Sequence, residues 1–188
     1  MIAVYTGCGH SMASAITHFI VGGALALPFR GVLLRPWTIP VSSGLMALAP
    51  DLDTFAMRAL DIPYSSFFGH RGFFHSPFFL ILFSTALAAI VAGRAFAPLA
   101  ILWACCAITH PLLDALTDGG LGVMLLFPFS DARLFFPWRP IYVSPLSIAS
   151  FFDEAGDILQ SEMPFDIAAI AIGVSVTTLR RRAASGRR

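Results

Sequence analysis

Nine residues in four short segments have the types and spacing for divalent-metal chemistry. His18 stands in ITHF, Asp51 and Asp53 in APDLD, His70, Arg71 and His75 in GHRGFFHS, and His110, Asp114 and Asp118 in THPLLDALTDGG. The last three are four residues apart, so on a helix they stack along one face with Cβ atoms about 5–6 Å apart. A His and a carboxylate at that spacing can share one cation or bind two adjacent ones. PDLD sets two carboxylates two residues apart at a helix end, where Pro50 breaks the regular backbone. His70 and His75 flank Arg71 among glycines, a corner able to bring backbone close to a ligand. Imidazole with carboxylate and no thiolate suits Zn²⁺, with Mn²⁺ or Fe²⁺ as alternatives, and argues against Cu(I) or an iron–sulfur cluster. Four His and up to four Asp exceed the needs of one tetrahedral zinc. They are enough for two ions with a bridging water.

Each segment also has an ordinary reading. A lone His18 in an apolar helix can bond a neighbouring helix, and PDLD is also a helix-end and turn signal. His110 with Asp114 can make an interhelical bond. Arg71 can simply pair with Asp51 or Asp53, and Asp118 can cap a helix end or support a ligand from behind. No GxSxG elbow, Walker A loop or HExxH helix offers a competing chemistry. Ser76 is better placed to cap the helix that follows than to act as a nucleophile.

The elements that must position these groups are apolar. Of 188 residues, 57% are apolar and 12% charged, about half the charged share of a soluble domain. Mean hydropathy is +0.78. A soluble domain of this length leaves roughly 30% of its unfolded surface exposed and cannot hide so much apolar area. Disorder, a coiled coil and a disulfide-stapled scaffold are excluded together, leaving an all-α polytopic membrane bundle. All 12 basic residues are Arg. With a net charge of +1 and no basic patch interleaved with aromatics, nucleic acid is not an expected partner. The three Cys, Cys8, Cys105 and Cys106, give no disulfide framework, and the adjacent pair reads as helix packing.

Five stretches are candidate spans: about residues 12–29, 37–49, 77–93, 97–116 and 167–179, the second and fifth being short for the 17–25 residues of a full crossing. The first Arg, Arg30, follows the first apolar run, which therefore reads as a retained helix rather than a signal peptide. With five alternating spans, Arg30, Arg35, Arg94, Arg180, Arg181, Arg182, Arg187 and Arg188 reach one face without an acid. The other face receives four Arg and all 11 acids. The positive-inside rule then puts the C-terminus in the cytoplasm and the N-terminus outside. Residues 1–179 form one membrane-embedded unit, and 180–188 a disordered basic cytoplasmic tail. The outer face holds the long connections, 50–76 and 119–164; the aromatic 127–142 segment reads equally as an interfacial lid or as a loop packed on the bundle. No internal repeat is visible, and no motif specifies an oligomeric state.

On this arrangement the His and Asp groups arrive at one membrane face from four helices. Ionisable groups at membrane depth are costly and usually functional, which weakens the ordinary readings taken jointly. Only His10 of the five His falls outside the set. The ITH segment followed by a Gly pair, LAPDLD, GHRGFFHS, and THPLLDALTDGG with a following LLFPFS resemble the YdjM-like family of bacterial membrane-bound hydrolases, over about residues 10–145. The resemblance implies a metal-dependent hydrolase of the bacterial cytoplasmic membrane without naming its substrate. The motif set is similar in kind to zinc-dependent phospholipase C, from which no residue is carried over.

The leading expectation is hydrolysis of a lipid or lipid-linked phosphoester at the periplasmic face. A metal-activated water is the nucleophile, Asp51 or Asp53 orients or deprotonates it, and Arg71 holds a phosphate oxygen. A metal or proton transporter is the alternative. It predicts ionisable groups through the midplane, whereas here they stop on one side. A structural protein with a stabilising metal would leave the excess of ligands unexplained.

Overall fold

Ser14 closes the start of the first helix: its hydroxyl accepts from Thr17 N at 3.3 Å, an N-cap that leaves the apolar AITHFIVGGAL free to wind as α1, Ala15–Leu25. In the computed structural model, which describes residues 11–30, 37–93, 96–145 and 148–186, five further helices follow. They are α2 Thr38–Leu48, α3 Asp53–Leu60, α4 Pro77–Ala92, α5 Phe96–Asp114 and α6 Ile148–Ser185. Short 3₁₀ turns cover Leu27–Phe29, Ala49–Leu52 and Phe73–His75. The described strand is one two-residue antiparallel pair, β1 Ser11–Met12 with β2 Ser144–Pro145, in register Ser11 to Pro145.

The expected all-α bundle is what forms, with differences at the ends of the expected spans. The first apolar run does not become one full-length helix. The turn at Leu27–Phe29, carrying Pro28, ends α1 after 11 residues, about 16 Å of rise. Two helices, Phe96–Asp114 and Phe151–Ser185, are long and apolar enough to cross a membrane; Ala15–Leu25 and Pro77–Ala92 are shorter and apolar. The larger departure is α6. Residues 148–164, expected as the end of an outer connection, are nearly the first half of a 38-residue helix that runs on through Pro164. The tail expected to be disordered from Arg180 continues that helix to Ser185. Cys8, His10, Arg35, Arg94, Arg187 and Arg188 lie outside the described residues.

Two apolar clusters hold the bundle. Ile39, Met46, Ala88, Leu99, Trp103 and Cys106 pack α2, α4 and α5 together. Val21, Ala24, Leu113, Ile141 and Ala169 join α1, α5 and α6. Cys106 fills the first cluster as expected, while Cys105 is exposed. Small residues let α1 and α2 approach closely: a Cβ at Gly22 would lie 2.5 Å from the Ala47 Cβ. That approach fixes the end of α2 beside α1, where the charged groups gather.

The connection after α5 is ordered rather than loose. Val123 and Ile141 are fully buried, bridges join Thr117 to Ile141 and Val123 to Leu134, and Phe127 packs on Phe67 and Phe73. Its tips remain open, with Phe129 95% and Trp138 66% exposed. The ends of the segment fit the packed-loop reading, and its tips present apolar surface.

Candidate metal centre

Four elements deliver the site. His18 comes from the first turn of α1, and Asp51 and Asp53 from the turn joining α2 to α3. His70, Arg71 and His75 come from the loop before α4, and His110 and Asp114 from the last turns of α5. Glycines shape the loop. A Cβ at Gly69 would collide with the Tyr64 carbonyl oxygen, and one at Gly72 with that of Phe67, so only glycine permits a coil tight enough to turn both imidazoles inward. Between them Arg71 takes φ 61°, in the left-handed region, and its carbonyl accepts from Met124 N at 3.2 Å. Ser76 caps α4 as expected, accepting from Phe79 N at 3.2 Å.

All four imidazoles of the set are fully buried, as are Arg71 and Asp114. His18 stacks on His110 with ring centroids 3.6 Å apart. Three overlapping groups have ligand atoms within 4.8 Å of one another: His18, Asp51 and His110; Asp51, His70 and His75; His75, His110 and Asp114. His110 shows what the arrangement demands. Its Nδ1 donates to the Ala47 carbonyl at 2.7 Å, so in the neutral ring Nε2 is a lone pair. That nitrogen lies 3.3 Å from Asp51 Oδ1 and 3.4 Å from Asp114 Oδ2, without a hydrogen-bond partner. Two carboxylates facing this buried nitrogen need a positive charge between them, either a proton on Nε2 or a metal ion that replaces it. Nε2 of His18, His70 and His75, both oxygens of Asp51 and Oδ2 of Asp114 are likewise buried without partners. The donor set fits divalent cations.

Charge and hydrogen bonding set the supporting roles. Asp53 belongs to none of the three groups. Its Oδ1 lies 3.0 Å from His70 Nδ1 and its Oδ2 3.2 Å from His75 Nδ1, the position of a carboxylate that orients two imidazoles from behind. Asp53, expected as a ligand or base, thus stands outside the three groups and behind two of their imidazoles. Burial works against charge on Asp51, yet the His110 and His75 imidazoles hold its carboxyl well below the usual carboxylate range. Burial likewise opposes charge on Asp53, and His70 and His75 hold it down. Burial pushes His70 below the ordinary imidazole value. At His75 burial is outweighed by Asp51 and Asp53, which raise it.

Two further expectations change. Arg71 pairs with neither Asp51 nor Asp53: its NH2 lies 3.3 Å from Asp114 Oδ1, and its NH1 donates to the Gly119 and Leu121 carbonyls at 3.0 and 2.9 Å. Asp118 does not reach the cluster. It is exposed, and its Oδ1 accepts from Val143 N at 2.9 Å, because the chain leaves the helix after Asp114 and the four-residue stacking ends there.

Sequence reading missed two supports. Arg133 donates to the His70 and Ser66 carbonyls at 2.7 and 2.8 Å, answering Arg71 from the opposite connection. Glu162 on α6 is fully buried and accepts from the Ser14 amide, the Ser14 hydroxyl and, at 2.9 Å, the Thr17 hydroxyl. It thereby fixes the start of α1, where Ala13 N donates to Asp114 Oδ1 at 3.0 Å. A signal was present: Ile158, Glu162, Phe165 and Ala169 recur at helical spacing, so Glu162 lies on an inward face.

The model of the YdjM inner membrane protein family matches residues 12–184. The inner membrane protein YbcI of Escherichia coli (strain K12) is 32% identical over 158 residues, covering 81% of this chain and 89% of that protein. No solved structure matches the chain.

Proposed function

Because the chain belongs to the YdjM family of inner membrane proteins, we propose that it is a metal-dependent hydrolase of the bacterial inner membrane, cleaving a phosphoester of a lipid or lipid-linked substrate. The observation that carries the reading is the placing of His110 Nε2, buried 3.3 Å from Asp51 Oδ1 and 3.4 Å from Asp114 Oδ2 while Nδ1 is spent on the Ala47 carbonyl. His18, Asp51, His70, His75, His110 and Asp114 would hold two divalent ions, Zn²⁺ first, with Mn²⁺ or Fe²⁺ as alternatives. When bound, such ions supply Lewis acidity and bring the pKa of water near neutrality. Asp51, common to two of the three ligand groups, keeps Oδ1 toward His110 and orients the attacking water by accepting its hydrogen bond on Oδ2. Asp53 holds the tautomers of His70 and His75. Arg71 balances the charge of Asp114 and keeps an unpaired Nε as a donor to a phosphate oxygen. Asp118 braces the following connection.

A lipid substrate follows from where the cluster stands, at one end of an apolar bundle, where diffusion in the membrane plane delivers phosphoesters to it. Multi-pass insertion with this end toward the periplasm is the topology the Arg asymmetry supports. Elemental analysis of the purified protein tests the metal. Incubating the metal-loaded protein with phospholipids and polyprenyl phosphates tests the reaction. Chelator-sensitive release of phosphate or head group, lost in the His110→Ala, Asp114→Ala double variant, is the expected result. No release from any lipid, together with metal flux in proteoliposomes, would turn the reading to a transporter.

A further inference from the structure

Beside the cluster, between α3 and α4, lies an apolar cleft of about 210 Å³. Pro50, Ala56, Phe74, Phe79 and Phe83 form its walls, and Asp53 is the charged residue in its lining. We propose that this cleft receives the hydrocarbon chain of the substrate, an inference that rests on the lipid hydrolase reading.

Three observations point to a chain rather than a head group or water. The cleft lies next to the cluster: Asp53 lines it while its carboxylate reaches the Nδ1 atoms of His70 and His75, and Pro50 adjoins Asp51. From that polar end it runs along α4. Phe79 and Phe83 are one helical turn apart, about 6 Å of rise, on a helix whose polar side chains are Ser84 and Thr85 alone. Its volume equals roughly seven waters at ~30 Å³ each, with apolar walls that offer water few partners. That is room for a short run of methylene groups and too little for a bulky head group. Leu52, also in the lining, is 61% exposed, and neighbouring Phe55 is 69% exposed, so the rim is apolar where a lipid chain would enter from the bilayer.

The test uses the full chain in nanodiscs containing phosphatidic acid with a diazirine in one acyl chain. Photolabelling is mapped by peptide mass spectrometry. The α3–α4 peptides carrying Ala56, Phe79 and Phe83 should be labelled more heavily than the exposed Ile167 and Ile170 of α6. Ala56→Trp, which fills the cleft, should cut the α3–α4 label about tenfold and leave α6 labelling and bound metal unchanged. The same variant should raise KM for a long-chain phosphoester and leave KM for a water-soluble short-chain one unaltered. Equal labelling of both regions in the unsubstituted protein overturns the inference without touching the metal chemistry, as does labelling indifferent to Ala56→Trp in a variant that keeps its metal. Cleft labelling in a protein that hydrolyses none of the lipids would instead sink the hydrolase reading and leave a lipid-chain site standing.

Discussion

Ligand and support are separate jobs at this cluster, and substitutions should tell them apart. His110→Ala or Asp114→Ala removes an atom from the converging set, so bound metal should drop to a small fraction of that in the parent protein. Asp53→Asn keeps every ligand and loosens two imidazoles, an effect worth about 10–100-fold in metal affinity. Asp118→Asn should leave metal content unchanged, because its carboxylate serves Val143 N. Elemental analysis after dialysis against a graded chelator distinguishes the three, and equal loss at Asp118 would return that residue to the ligand set. Acid competes at the same atoms. His75, raised by Asp51 and Asp53 against burial, is protonated in the metal-free protein up to a pH above the ordinary imidazole value, and a bound cation must displace that proton. Metal affinity should therefore rise with pH through the His75 titration and level off above it. A flat affinity profile from about pH 5 to about pH 9 would contradict His75 as a ligand.

The helices divide between those whose role is written in local spacing and one whose role depends on the rest of the fold. His110 and Asp114 stack because four residues make nearly one turn, and Ser76 caps α4 because Pro77 and an apolar run follow it. Both are legible in the sequence. The same rule fails at Asp118, since spacing predicts stacking only while the helix continues and α5 ends at Asp114. The first half of α6 is not legible as a helix because its acids break the apolar run, leaving it within the long outer connection; only burial against α1 reveals that one of them, Glu162, is a bonding group. Replacing it tests that role. Glu162→Ala orphans the Ser14 amide and hydroxyl, at about 1–3 kcal/mol for each unsatisfied buried donor. It should lower the thermal midpoint in detergent and weaken metal binding through the displaced start of α1. Glu162→Gln, which retains one acceptor oxygen, should lose less. An unchanged midpoint in the alanine variant would show that α6 does not hold α1 through this residue.

For the whole molecule, hydropathy was enough to announce an all-α membrane protein, and the family match agrees with it. Which faces meet was beyond it, because Gly22 against Ala47 and Arg71 against Asp114 are pairings between distant segments. Charge asymmetry predicts the orientation: a reporter fused after Arg188 should be active in the cytoplasm, and activity confined to the periplasm would reverse the leaflet assigned to the site. The contact between Glu162 and Ser14 also has a consequence for biosynthesis. The two residues are 148 positions apart, a delay of roughly 7 to 30 s at ~5–20 residues per second of synthesis. His18, Asp51, His70, His75, His110 and Asp114 have all left the ribosome before the group that steadies α1 exists. A nascent chain stalled before residue 148 should therefore hold metal weakly, and the centre should mature only after the last helix has entered the bilayer.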